Sequence, residues 1–242
     1  MKKLLFSLVA LALTPAFAQQ TVQMEAQDGV KVVADYYATD NPAGAIILFN
    51  GAHLDPNVPA RNRCEYGDFP KTLQQKGYAV LNVDLRISGH WSLCQNRTHG
   101  PVADAYDAMQ DVEAAVKWMQ QTTGQQKVIL FGSGFSSMMH LFYALKHPDQ
   151  VKGVAAFGLV SNSITLTDEV AGLLPTLKIP LIMVSPEDEK GLSEAILTGV
   201  PAQMARLVVA PPLNGYTLGF NDPRTLEVYQ KSSLDFLSLL SR

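Results

Sequence analysis

The stretch that most constrains this chain runs from Lys127 to Pro148, KVILFGSGFSSMMHLFYALKHP. Its apolar run, Val128 to Phe131, enters a glycine-rich turn, and the turn opens at once into a segment with apolar positions at helical spacing. That order predicts a strand, a sharp elbow and a helix. Met138, Met139, Leu141, Phe142 and Leu145 then form the helix face that packs on a sheet.

The rest of the chain repeats the alternation. Thr21 to Tyr37 holds two alternating runs around Asp28-Gly29, a hairpin signal. Ala45 to Phe49 is apolar and short enough for a strand buried on both faces. Arg61 to Asp68 is polar and irregular, which predicts a loop over the end of the sheet. A helix over Phe69 to Lys76 stops at Gly77, and Tyr78 to Val83 is the next strand. Pro101 to Gln121 places Ala105, Ala108, Val112, Ala115 and Met119 on one helical face. Val151 to Phe157, Ile179 to Val184 and Arg206 to Ala210 read as strands, and Arg224 to Leu240 as a closing helix behind Asn221-Asp222-Pro223. Strands alternating with helices predict an α/β fold, a mostly parallel sheet with helices on both faces, in one domain over 19–242. Ser161 to Lys178 leaves room for one helix, so no cap domain is expected.

Lys2 and Lys3, the apolar run Leu4 to Leu13 and Ala16-Phe17-Ala18 make residues 1–18 a signal peptide, cleaved before Gln19. The expectation is a periplasmic or secreted protein with no membrane attachment after cleavage. Cys64 and Cys94 are an even pair, predicted to form a disulfide in such a compartment. A net charge of −3, with Lys and Arg scattered, offers no basic stripe for nucleic acid.

Gly132, Ser133, Gly134, Phe135 and Ser136 fill the five places of a motif that resembles the G-x-S-x-G elbow of the α/β-hydrolase family. Asp84-Leu85-Arg86-Ile87-Ser88-Gly89-His90 likewise resembles that family's D-x-R-G-x-G-x-S turn, with Ile87 in place of a glycine. The resemblance implies the fold just described and a reaction at ester or amide bonds. It places the nucleophile at Gly134, the acid at Asp188 with Glu187 beside it, and the base at Asn214. It also implies an oxyanion-side pocket at Asn50, Gly51 and Phe135.

Neither Gly134 nor Asn214 can do what its place requires, since glycine has no hydroxyl and an amide accepts no proton. All five histidines, His53, His90, His99, His140 and His147, precede Pro148. Two readings follow. One is an exported, non-catalytic member of the fold that binds a small molecule or peptide or acts as a scaffold. The other is a divergent hydrolase with a displaced nucleophile, Ser133 or Ser136, or with a metal-bound water. For the metal, His53, His90 and His99, with Asp55 and Glu65, fall on neighbouring loops, but no tight spacing such as H-x-x-x-H marks a site and no cofactor is expected. His140 is predicted to be a helix-packing histidine, and Trp91 and Tyr216 either to line a pocket or to cover the core as loop aromatics.

Overall fold

The hairpin forms as its sequence directs. In the computed structural model, which describes residues 19–52, 61–87, 94–159, 164–213 and 219–241, β1 (Gln19–Glu25) and β2 (Lys31–Tyr37) pair antiparallel. Gly29 turns the chain with φ 82°, a conformation open to glycine. The predicted leader, residues 1–18, lies outside the described residues.

Six parallel strands follow: β3 (Ala45–Phe49), β4 (Ala79–Val83), β5 (Val128–Ser133), β6 (Val151–Phe157), β7 (Leu181–Pro186) and β8 (Ala205–Ala210). Their order in the sheet is β1-β2-β4-β3-β5-β6-β7-β8. The chain enters at β3, steps outward to β4, then crosses back over β3 to β5 before running on to β8. That reversal sits between β3 and β5, and a ligand crevice in an open α/β sheet forms beyond the carboxyl ends of the strands at such a point.

Every residue of β3 and β4 is buried, as the short apolar runs predict. Because side chains alternate across a strand, the two faces take different partners. Ile47 and Phe49 join a core under α2 (Ala105–Thr123), α3 (Phe135–Lys146) and α4 (Ile164–Leu173). Ile46 and Leu48 join a second core with α1 (Phe69–Gln75) and α6 (Leu226–Leu240). Helices thus cover both faces, and among the described residues none is long and apolar enough to cross a membrane.

Element boundaries move where a cap or a proline acts. α2 begins at Ala105 rather than Pro101 because Asp104 accepts the N–H groups of Tyr106 and Asp107 at 2.7 and 3.3 Å, while Asp107 reciprocates. It ends at Gly124 with φ 71°. β7 begins after Pro180, which has no N–H to give a ladder. α5 (Lys190–Leu197) was not legible in the sequence: it is eight residues long, and its only fully buried side chain is Ser193.

Beyond β4 the Asp84-Leu85-Arg86 turn anchors two ion networks. Asp84 accepts from Arg63 at 2.9 Å and Arg97 at 3.0 Å, and Arg63 and Arg97 also hold Asp35 at 2.8 and 2.9 Å. Arg86 gives its backbone N–H, Nε and Nη2 to Asp111 at 2.9, 2.9 and 2.7 Å, and also pairs with Asp28. Burial of Asp35 opposes ionisation, yet the Arg97 and Arg63 bonds win and hold its carboxyl below the usual range. Ile87 is buried and has no positive φ, so the turn runs without the backbone a glycine would permit. Cys64 and Cys94 form a disulfide, with Cα atoms 6.2 Å apart.

Candidate functional site

The elbow lies at the carboxyl end of β5. Gly134 takes φ 55°, ψ −118°, donates its N–H to Phe157 O at 2.8 Å, and α3 begins at the next residue. A side chain at Gly134 meets open space, since an added Cβ would find only Gly158 O, at 3.9 Å. Gly132 is the opposite case. A Cβ there would stand 2.7 Å from Ser137 N and 2.8 Å from His140 Nδ1 and Ser136 C, so this glycine lets α3 rest on β5. Gly132→Ala is expected to cost about 2–3 kcal/mol through forced overpacking. Gly134→Ala is expected to cost about 1–2 kcal/mol for the left-handed backbone alone. Urea denaturation of the two variants reads the contrast, and equal costs would contradict it.

Ser136 and Ser137 are spent on the elbow's backbone. Ser136 Oγ accepts the Ser133 N–H at 2.9 Å and shares its proton between Phe49 O at 2.9 Å and Ser133 O at 3.0 Å. Ser137 Oγ donates to Gly132 O at 2.7 Å and accepts from Phe157 N at 3.2 Å. Both side chains are buried, and Phe135 is buried in the first core. Ser133 differs, because its side chain neighbours the Glu65 carboxyl and favours its ionised form.

Glu65, which the sequence offers only beside the histidines as a metal-ligand candidate, has a place against the elbow that sequence reasoning missed. It lies in the segment read as an irregular loop over the end of the sheet, within which Arg63–Tyr66 forms a tight 3-10 turn with Glu65 and Tyr66 buried. Several contacts fix that turn. Asn62 caps it by accepting the Cys64 N–H at 3.1 Å, and the disulfide ties it to Cys94. Tyr66 OH donates to Phe49 O at 2.7 Å, and Asn221 Nδ2 to Glu65 O at 2.5 Å. The available signal was Cys64 and Tyr66 flanking one acid in an otherwise polar run.

The Glu65 carboxylate reaches the end of β3, where the Gly51 N–H donates to its Oε2 at 2.6 Å. Arg61 Nη1 stands 3.8 Å from the other oxygen. Gly51 must be small, since a Cβ there would lie 3.0 Å from Arg61 Cδ and 3.4 Å from Glu65 Oε2. Asn50 is a clip: its Nδ2 donates to Arg61 O at 2.8 Å and Gly51 O at 2.9 Å, and its Oδ1 accepts from Leu85 N at 3.0 Å.

Burial pushes the Glu65 carboxyl above its ordinary value, with Arg61 the first opposing influence. The folded protein therefore binds this proton more tightly than the unfolded chain does. Its contribution to stability is full below the unfolded value near 4.5 and is lost as pH rises through the folded one. Glu65→Gln is expected to flatten that fall. Urea midpoints of both proteins across acid to neutral pH measure it, and parallel curves would refute the assignment.

The acid place is on the turn after β7. Asp188 is exposed and accepts the Leu213 N–H at 3.3 Å, which brings it to the backbone next to Asn214. Asn214 itself, with Tyr216, lies outside the described residues, as do His53, Asp55, His90 and Trp91. Glu189, half-buried, brings Oε2 within 3.1 Å of where a Cβ of Gly158 would lie. Burial raises its carboxyl, Asp188 adds to the rise and Arg61 opposes it. The described residues thus gather Ser133, Gly134, Glu65, Arg61, Asp188 and Glu189 around the elbow. His99 is exposed, and among the described residues no group of three His, Cys, Asp or Glu is placed to hold a metal ion. His140 is fully buried edge-on to Phe49, with ring centroids 5.0 Å apart, and burial pushes it down to about 3.

Solved structures share this architecture. Dienelactone hydrolase from Anabaena variabilis is 18% identical with a TM-score of 0.68, the match covering 93% of this chain and 98% of that one. A CIB-like hydrolase from Thermoplasma acidophilum is 17% identical with a TM-score of 0.68, over 91% and 98%. Est1E from Butyrivibrio proteoclasticus is 13% identical with a TM-score of 0.68, over 91% and 98%. At these identities the likeness is one of fold. No curated protein sequence matches the chain. Residues 41–189, which span the sheet from before β3 to the Asp188 turn, match the family model described as serine aminopeptidase, S33, and the chain belongs to that α/β-hydrolase family.

Proposed function

We propose that this is an exported α/β-hydrolase-fold protein that binds a small molecule or peptide at the elbow without covalent acyl transfer. The observation that carries the reading is Gly134: the elbow keeps its strained backbone, at φ 55° and ψ −118°, and has no side chain there. Glu65 adds to it. Acyl transfer places an oxyanion near backbone N–H donors, and the Gly51 N–H is bonded to a carboxylate. Losing the nucleophile of a triad costs on the order of a millionfold in turnover. Export rests on the 1–18 segment, and a disulfide within the domain agrees with an oxidising compartment. Turnover of short-chain aryl esters, with and without chelator, tests the binding reading. The expected result is a rate no greater than that of buffer, and enzyme-dependent turnover would end it.

A second reading has one observation of its own, the Ser133 side chain beside the Glu65 carboxyl, whose ionised form it favours. In it Ser133 is a displaced nucleophile and Glu65 its base. Ester turnover abolished in both Ser133→Ala and Glu65→Gln is its signature.

A further inference from the structure

The two edges of the sheet are built differently. One side ends in β1, QQTVQME, where polar residues outnumber apolar ones. The other ends in β8, ARLVVA, whose single charge is Arg206. Natural edge strands are kept from pairing with another chain by proline, bulges, repeated charges or a covering strand. β8 contains no proline, and its register with β7 runs unbroken from Leu181 against Ala205 to Pro186 against Ala210. Among the described residues no strand lies beyond it.

Apolar surface gathers at the same edge. Among the described residues, the large apolar side chains left exposed are Val102, Leu192, Val209 and Leu239. Val209 stands on β8, Leu192 on α5 and Leu239 on α6, and both helices pack against β8. On α6, Val228, Lys231 and Asp235 line a cavity of about 220 Å³ together with Arg206 and Val208 of β8. Leu239, four residues after Asp235, continues that row of the helix. The row therefore flanks the open strand.

We propose that this edge is the interface with a second copy of the chain, formed by antiparallel pairing of β8 with its counterpart about a two-fold axis normal to the sheet. The pairing joins two eight-stranded sheets into one. Two features favour a second copy over a foreign strand. With the axis at Leu207, at Val208 or between them, Arg206 faces Val208, Ala210 or Val209 of the counterpart, so like charges do not meet. The same axis keeps both α6 helices on one face of the joined sheet and runs them antiparallel. Lys231 and Asp235, paired at 2.6 Å one turn apart and both exposed, then form a pattern that complements itself. The inference stands apart from the reading of the elbow, since β6 and β7 lie between β5 and this edge.

Sedimentation velocity on the wild-type protein tests the interface. At about 100 μM it is expected to sediment with twice the mass of the chain, since interfaces of ordinary size bind in the micromolar range or tighter. Val209→Lys places a second charge on the exposed edge, and the axis repeats it, so the dimer Kd is expected to rise at least about tenfold. If Val209→Lys does not fold, hydrogen exchange on the wild type carries the test. The β8 amides are expected to exchange at least about tenfold more slowly at concentrations above the measured Kd than below it. A wild type with the mass of one chain, a dimer that folded Val209→Lys leaves intact, or a dimer whose β8 amides exchange alike on both sides of its Kd overturns the proposal. A single-chain protein whose β8 amides slow only with an added extended peptide also overturns it and gives the edge to a foreign strand.

Discussion

Asp111→Ala is expected to lower folding stability by about 3–5 kcal/mol, because it strands the Arg86 guanidinium in the interior. Neither side chain of that pair touches solvent. Arg86 gives Asp111 three N–H donors at 2.7–2.9 Å, and Asp28, the remaining acid, reaches it from the hairpin turn with its side chain 26% exposed. Asp28 alone does not compensate a charge whose main partner has gone. For a domain of this size the loss corresponds to roughly 10 °C in Tm. Asp111→Asn keeps the shape and two of the acceptor contacts but removes the charge, so it is expected to fall between the wild type and alanine. Asp28→Ala, at the wetter end, is expected to cost less than half as much as Asp111→Ala. Urea denaturation of the three variants checks the order, and an Asp28→Ala loss equal to that of Asp111→Ala would place the weight of the network elsewhere.

Removing the disulfide is the second large effect. Cys64 and Cys94 are separated by 30 positions, and releasing a loop of that length from the unfolded chain costs about 3–4 kcal/mol in chain-entropy terms. The effect is expected to be global rather than local. The turn that carries Glu65 is also held by Asn62, Tyr66, Asn221 and the Arg63 ion pairs. The Cys64→Ala, Cys94→Ala double variant is therefore expected to melt about 10 °C lower while its turn stays in place below the transition. Thermal unfolding reads the first claim, and hydrogen exchange at the Gly51 amide reads the second. Rapid exchange at Gly51 in the folded variant would show that the disulfide alone holds Glu65.

Much of the fold was legible because its signals are local. Ala45 to Phe49 and Val151 to Phe157 are apolar runs that stand as β3 and β6 with the predicted ends. Asp28-Gly29 turned the hairpin, and Gly132 and Gly134 marked the elbow. α5 escaped notice because its KGLSEAIL segment is short and buries little.

The site was half legible for the same reason. Gly134, Ser133 and Asp188 stand on turns that punctuation in the sequence announces. Glu65, Arg61 and Glu189 owe their place to tertiary structure: Glu65 is buried because Tyr66, Asn221 and a distant cysteine pin its turn, and no pattern within Arg61 to Asp68 encodes those partners. A buried carboxylate in a polar segment runs against the rule that loops lie in water, so composition pointed the wrong way.

The central claim is that the elbow retains its backbone without a reactive hydroxyl. Intact-mass measurement after incubation with a fluorophosphonate probe tests it most directly. The mass of the wild-type protein is expected to stay unchanged, whereas a stoichiometric adduct mapped to Ser133 or any other serine would show a reactive hydroxyl at the elbow.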